Sequence, residues 1–323
     1  MEEKLISAII TTHNRPPEQV LRAVRSVLRQ TYPHTELIVV DDSSADYPLR
    51  NAVEQAVRQA SGSIRYIRHP DSRGSCAARN TGLSHANGYY AAFLDDDDEW
   101  LPEKLAEQIK GFSGSRTALV YCQQRMIDRI RKLTYIAPPQ MLRGAVFHSL
   151  LKTNFIGSTS NPLIKKECLE QIGGFDTKMQ SMQDYDVWLR LAARYPVNYV
   201  RKPLLKYYIH ENTRISSDAD KKLSGLLRLN AKYSKYIRQD SDTWYLRHIV
   251  LTPLLSRMES RRCALAMWLQ CVRKCPCRIV DHTKFLLVIL AGCDSLPYRF
   301  YEKMKFSRIA KQRVSHSIAG GKA

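Results

Sequence analysis

The 323-residue sequence predicts a doubly wound α/β fold over its first two thirds, followed by a basic, mostly helical region. Three observations carry this reading. Short apolar runs rich in β-branched residues alternate with amphipathic helical stretches, the pattern of strands buried on both faces of a parallel sheet. Each run ends in polar or acidic residues, so one edge of the sheet collects the chemistry. Charge is also divided unevenly. Residues 1–200 hold 25 Lys and Arg against 22 Asp and Glu, a difference of +3, whereas residues 201–323 hold 25 against 9, a difference of +16.

Residues 5–12 read as the first strand, closed by His13-Asn-Arg-Pro-Pro17. Pro16 and Pro17 set up a helix start, and Val20, Ala23, Val24, Val27 and Leu28 then recur on one helical face. Residues 36–40 are the second strand, running into Asp41-Asp42-Ser43-Ser44. Residues 46–60 form a second amphipathic helix, and residues 64–67 a short third strand. After the turn at Asp71-Ser-Arg-Gly74, residues 75–86 read as a small-residue helix able to pack close to the sheet. Residues 89–94 complete the unit as a buried strand that drives into four consecutive carboxylates, Asp95 to Asp98. Trp100-Leu-Pro102 follows, with Pro102 suited to the first turn of the next helix.

A run of four acids repels itself unless a cation sits among the oxygens. Most acidic runs are solvated faces. This one lies between a buried strand and a tryptophan, at the strand end where open α/β sheets place ligands, and reads as a divalent-metal site. The loops after the other strands bring Thr11, His13, Asp42 and Arg79 to the same edge. Singly, Asp42 reads as a helix cap, Arg79 as a surface cation and His13 as a loop histidine; together they converge on one site. No Gly-x-Gly-x-x-Gly follows the first strand and no Walker loop is present, which disfavours a dinucleotide or P-loop cofactor.

Further on, residues 118–122 read as a strand, 125–132 as a basic connection, 147–154 as a helix and 162–164 as another strand. A segment at 168–172 stops at Gly173-Gly174. Residues 188–194 form an amphipathic helix that Asp184 or Asp186 could cap. Beyond 215, residues 223–236, 245–255 and 263–272 look helical and 285–291 is strongly apolar.

The motifs Ser7-Ala-Ile-Ile-Thr-Thr-His-Asn-Arg-Pro16, Glu36-Leu-Ile-Val-Val-Asp-Asp-Ser-Ser44, Gly74-Ser-Cys-Ala-Ala-Arg-Asn-Thr-Gly82, Phe93-Leu-Asp-Asp-Asp-Asp-Glu-Trp100 and Gln183-Asp-Tyr-Asp-Val-Trp-Leu-Arg190 occur in that order. Together with Ile172-Gly-Gly-Phe-Asp176 they resemble family 2 glycosyltransferases over roughly residues 5–210, and residues 199–210 resemble that family's closing strand. The resemblance implies a GT-A fold with a mixed sheet in a domain at 1–214, its nucleotide-binding half at about 1–100 and its acceptor half at about 101–214, before the basic region at 215–323. It implies that the nucleotide base lies near Thr11, His13 and Asp42, Asp42 accepting the ring N–H. Arg15 and Arg79 lie near the nucleotide, and Asp95 and Asp96 serve the donor. Asp97, with Asp95 and His210, is implied to hold Mn²⁺ or Mg²⁺. The catalytic base falls at Asp184, preceded here by Gln183 where the family carries Glu. Asp184 takes a proton from an acceptor hydroxyl in a single inverting displacement.

The expected partners are a nucleotide sugar, with UDP as its nucleotide, and a saccharide or glycolipid acceptor in cell-surface polysaccharide or lipopolysaccharide synthesis. The basic last third calls for an acidic partner, expected to be an anionic membrane surface met by the basic, aromatic-bearing stretch at 299–313. No recognisable nucleic-acid module interleaves its basic and aromatic residues, so no nucleic acid is expected. The longest apolar run there falls short of the ~20 residues of a spanning helix. The eight cysteines (76, 122, 168, 263, 271, 275, 277 and 293) are scattered, and no secretory leader precedes Ser7. The expected location is therefore cytoplasmic and peripheral at the inner face of the membrane. Cys263, Cys271, Cys275, Cys277 and His282 lack paired zinc spacing.

Overall fold

The computed structural model describes residues 4–112, 116–138, 141–209, 219–257 and 261–291. The chain divides into two compact units, Met1–Thr213 and Arg214–Ala323.

In the first unit strands and helices alternate: β1 (Ile6–Thr12), α1 (Pro17–Leu28), β2 (Thr35–Asp41), α2 (Arg50–Ala60), β3 (Arg65–Arg68), α3 (Ser75–Ser84) and β4 (Tyr90–Asp95). Next come β5 (Glu99–Trp100), α4 (Lys104–Ile109), β6 (Leu119–Asp128), β7 (Leu133–Ala137), α5 (Phe147–Lys152), β8 (Leu163–Lys165), α6 (Lys166–Gln171), α7 (Gln183–Ala192) and β9 (Val197–Ile209). The strands form one sheet in the order β3-β2-β1-β4-β8-β6-β9-β5, with β7 paired to β6. The first four are parallel. β8 then runs antiparallel to both β4 and β6, which makes the sheet mixed.

Helices cover both faces of the parallel strands. Ile6, Ala8, Ile9, Ile10, Ile38, Val39, Val40, Ala91 and Ala92 are all fully buried, which is why these strands read as unbroken apolar runs. α1 buries Val20, Ala23, Val24 and Val27, but Leu28, expected on the same face, is 43% exposed where the helix ends. α3 lies so close to the sheet that a Cβ at Gly82 would run into Ile9 Cγ2, which accounts for its small residues. In register, Thr11 lies opposite Val40 of β2 and Asp95 of β4, so the carboxyl ends of three strands finish level. That alignment positions the site.

Several boundaries differ from expectation for physical reasons. The segment 125–132 is not a basic connection: β6 continues to Asp128, because β9 and β7 pair with it on either side. The helix expected from 46 begins at Arg50, whose guanidinium is tied to Asp41 of β2 at 3.0 Å. The helix after Pro102 begins at Lys104, and Pro102 instead gives its carbonyl to the Thr31 N–H. The helix expected from 188 begins at Gln183, which takes Asp184 and Asp186 into its first turn.

The second unit is helical in its described residues: α8 (Ala219–Lys232), α9 (Ser234–Gln239), α10 (Ser241–Ile249), α11 (Leu251–Arg257), α12 (Arg261–Lys274) and α13 (Ile279–Ala291). Its core gathers Tyr245, Ile249, Cys271 and Cys275, with Trp244, Trp268 and Phe285 packed against them. Asp240 caps α10, accepting from the Asp242 and Thr243 N–H groups. No helix among the described residues is long and apolar enough to cross a membrane. The basic stretch at 299–313 lies outside the described residues.

Candidate active site

The four acids after β4 divide into two pairs. The Asp98 N–H donates to the Asp95 carbonyl at 3.1 Å, folding residues 95–98 into a turn. Asp98 is fully buried and Asp96 nearly so, whereas Asp95 and Asp97 remain partly exposed. The Asp98 carboxylate accepts the Ser160 hydroxyl at 2.6 Å and the Tyr208 N–H at 3.3 Å. Asp96 Oδ1 accepts Arg15 Nε–H at 3.3 Å. Burial pushes the Asp96 carboxyl up to about 7, with Arg15 opposing the shift and the neighbouring charge of Asp97 adding to it. The Asp97 carbonyl accepts from Arg22 at 2.8 Å, which fixes the backbone of the outward pair.

One buried arginine ties this turn to the second half of the unit. Arg79, projecting from α3, donates from one end of its guanidinium to Asp95 Oδ1 at 2.7 Å and from the other to Gln183 Oε1 at 2.9 Å. Gln183 also accepts the Ser75 hydroxyl at 2.8 Å and opens α7. Met182 before it adopts φ +58°, a strained left-handed conformation for a residue with a side chain. Asp184 follows in the first turn, where the helix dipole favours a carboxylate, and its Oδ1 accepts the Tyr185 N–H at 2.7 Å. Burial nevertheless pushes Asp184 up to about 6; the Tyr185 N–H and Arg79 act against the shift and Asp95 acts with it. Asp184 is thus a carboxylate of raised proton affinity within electrostatic reach of Asp95, suited to accepting a proton. Asp186 is fully buried on Arg190 Nε at 2.8 Å and faces away from such a role.

The acids after β2 are used differently. Asp41 accepts from Arg50, from the Tyr66 hydroxyl and from the Ser43 N–H. Asp42, which the resemblance implies to accept the ring N–H of a base, accepts His69 Nδ1–H at 2.7 Å and the Arg73 N–H at 2.7 Å on one oxygen, and the Ser72 hydroxyl at 3.2 Å and the Gly74 N–H at 2.8 Å on the other. A carboxylate has about four acceptor positions, and here four protein donors fill them. His13 Nδ1–H donates to the Asp42 carbonyl at 2.7 Å, and Asn14 is bonded to Ser43 and Ser44, so the loops after β1 and β2 are strapped together. Thr11 stands partly exposed at the end of β1 beside Asp95.

Thr11, His13, Arg15, Asp42, Arg79, Asp95, Asp96, Asp97 and Asp184 therefore all belong to one edge of the sheet and the helix start facing it. His210 lies outside the described residues. A divalent cation fits the donor set in chemistry: Mg²⁺ and Mn²⁺ bind through one or two carboxylates plus substrate phosphate oxygens, and Asp95 and Asp97 are the two acids left partly open. Among the described residues no group of three or more His, Cys, Asp or Glu side chains is gathered to hold a metal. Three contributors escaped the sequence reading: His69, Ser160 and the acceptor role of Gln183. Each acts through a partner at least 27 residues away, so no local spacing signals it.

Residues 7–173 match the family described as Glycosyl transferase family 2. A glycosyl transferase assigned to colanic acid biosynthesis, WcaA of Escherichia coli (strain K12), is 31% identical over 252 residues, which span 75% of this chain and 86% of the relative. The UDP-Glc:alpha-D-GlcNAc-diphosphoundecaprenol beta-1,3-glucosyltransferase WfgD of Escherichia coli is 27% identical over 225 residues, 69% of this chain and 84% of the relative. Among solved structures, the mannosyltransferase PcManGT from Pyrobaculum calidifontis, in complex with GDP-Man and Mn²⁺, superposes with a TM-score of 0.59 at 18% identity, covering 97% of this chain and 87% of its own. Residues 1–349 of S. aureus TarS, in complex with UDP-GlcNAc, superpose with a TM-score of 0.57 at 15% identity, covering 88% and 91%. These likenesses establish a GT-A-like mixed α/β fold. The chain belongs to glycosyltransferase family 2 and is a glycosyltransferase.

Proposed function

We propose that the chain is an inverting, metal-dependent transferase that moves a sugar from a nucleotide sugar, with UDP as the nucleotide, to a saccharide or lipid-linked acceptor in cell-surface polysaccharide synthesis. The observation that carries this reading is the Arg79 bridge, which joins the acidic turn at Asp95 to Gln183, the residue before Asp184. The names of relatives, one assigned to colanic acid biosynthesis and one given as a glucosyltransferase for a diphosphoundecaprenol-linked sugar, support the acceptor class.

In this reading the nucleotide-binding half, about 1–100, holds the donor along the carboxyl ends of β1, β2 and β4. Thr11, His13 and Arg15 line the nucleotide, and the Asp42-anchored loop at 69–74 frames its base. Arg79 adds positive charge beside the donor, and Asp96 keeps Arg15 in place. Asp95 and Asp97 would hold Mn²⁺ or Mg²⁺, with His210 as a further ligand; bound there, the ion neutralises charge on the departing diphosphate as a Lewis acid. Asp184 removes the proton of the acceptor hydroxyl as that oxygen attacks the anomeric carbon. The bond from that carbon to the diphosphate oxygen breaks, the nucleoside diphosphate leaves and the configuration inverts. Gln183, being neutral, leaves the Arg79 charge shared between Asp95 and Asp184. The basic region at 215–323, within the 25-to-9 excess of cationic over acidic residues after position 200, holds the enzyme at the anionic inner face of the membrane. Nucleic acid is not a partner in this reading.

The test is release of nucleoside diphosphate from a panel of UDP-, GDP- and dTDP-sugars with Mn²⁺ or Mg²⁺, with saccharide and lipid-linked acceptors. Turnover of one donor is expected, reduced about 10²- to 10⁴-fold in Asp184→Asn. Turnover unaffected by that substitution would remove Asp184 from the reaction, and binding without turnover on any acceptor would leave a non-catalytic module.

A further inference from the structure

The segment at 154–161, between α5 and β8, is fastened at each turn to a different element. Asn154 brackets Gly157, accepting its N–H at 3.0 Å and donating to its carbonyl at 3.3 Å. Gly157 has φ +92°, a left-handed conformation in which any side chain is strained, and a Cβ there would also displace the Gln124 amide. The Gly157 carbonyl accepts the indole N–H of Trp188 in α7 at 3.0 Å. At the other end, the Trp100 indole N–H donates to the Ser160 carbonyl at 2.8 Å, and the Asn161 side chain spans the N–H and carbonyl of Cys122.

Ser160 is fully buried between these anchors. Its hydroxyl donates to Asp98 Oδ2 at 2.6 Å and accepts the Asp95 N–H at 3.0 Å. Those are the last and first residues of the acidic turn, so one hydroxyl cross-links its two ends. Without it, a fully buried carboxylate would lose a short charge-assisted hydrogen bond, and a backbone N–H at the mouth of the turn would lose its acceptor. The turn would then relax, and the relative placement of Asp95 and Asp97 with it. Through Gly157 and Trp188 the same loop also grips α7, which carries Asp184.

We propose that Ser160 is a positioning residue for the transfer reaction: its hydroxyl sets the turn at 95–98 so that Asp95 and Asp97 are presented together to a divalent cation, while its loop keeps that turn in register with α7. The inference rests on the metal-binding reading given above. It is tested by titrating Mn²⁺ into the full-length protein with UDP or GDP present, following free Mn²⁺ by electron paramagnetic resonance, beside a thermal midpoint for each variant. Ser160→Ala weakens Mn²⁺ binding about 10- to 100-fold, the scale of outer partners of metal ligands. Asn154→Ala, which loosens the same loop away from the acids, lowers the midpoint at least as far but binds Mn²⁺ as wild type does. Wild-type affinity in Ser160→Ala, or affinities that fall in step with the midpoint in both variants, overturns the proposal. Asp97→Ala separates the two readings. If it too keeps wild-type Mn²⁺ binding, the metal site itself is wrong; if it loses binding while Ser160→Ala does not, only the positioning role fails. Should Ser160→Ala not fold, Ser160→Cys fills the same space with a weak donor: weakened Mn²⁺ binding supports the proposal and wild-type affinity overturns it.

Discussion

Two parallel strands of this sheet, β2 and β4, end in consecutive aspartates, and the fold treats them in opposite ways. After β2, Asp41 and Asp42 are sealed from solvent, and every interaction described for their carboxylates is with a donor of the chain itself. After β4, Asp96 and Asp98 are taken inward in the same manner, but Asp95 and Asp97 stay partly open. The difference lies in how far the surrounding segments close over each acid. The loop after β3 brings His69, Ser72, Arg73 and Gly74 round to Asp42, and α2 begins with Arg50 lying on Asp41. The turn after β4 is met by Ser160 and the Tyr208 N–H at Asp98, by Arg15 at Asp96 and by Arg79 at Asp95, but only Asp96 and Asp98 are closed off from solvent. An acid at a strand end thus becomes scaffold or candidate site according to how completely the rest of the chain buries it.

The largest effect that would break this contrast is on stability. Asp41→Ala leaves Arg50, 3% exposed, buried without its carboxylate, and the unfolding free energy measured by denaturant is expected to fall by about 3–5 kcal/mol. A loss within experimental error would mean that the β2 acids are not structural.

A smaller effect sharpens the β4 side. With Asp184 raised to about 6 by burial, the unprotonated base is lost as pH falls through that value. Turnover is expected to be level above about pH 7 and to drop roughly tenfold per unit well below 6. An acid limb near 4, the ordinary aspartate value, would show a base open to solvent or a different residue acting as base.

Much of the fold was legible because the buried strands carry unbroken apolar runs, as in β1 and β4, and because α3 is built from small residues that its close packing at Gly82 demands. The acidic turn was legible too, since four carboxylates beside a tryptophan are hard to explain as a solvated face. The sequence did not disclose which acids stay open. Asp96 and Asp98 are held by Arg15, Ser160 and Tyr208, which reach the turn from distant segments. The same blindness affected Asp42, whose four donors lie 27–32 residues on. It affected the start of α7 as well, where a strained Met182 moves the helix five residues earlier than its apolar pattern suggests and brings Asp184 inside it.

The contrast between the two strand ends is tested most directly by one paired measurement on Asp42→Asn and Asp97→Asn: thermal midpoint and metal-dependent turnover of the same preparations. Asp42→Asn is expected to lose about 1–3 kcal/mol of stability, because its amide turns a donor toward donors already in place, and to keep a turnover that depends on Mn²⁺. Asp97→Asn is expected to unfold at the wild-type midpoint and to lose its metal-dependent turnover. An Asp97→Asn enzyme that remains active with Mn²⁺, or one that is merely unstable, would contradict the account.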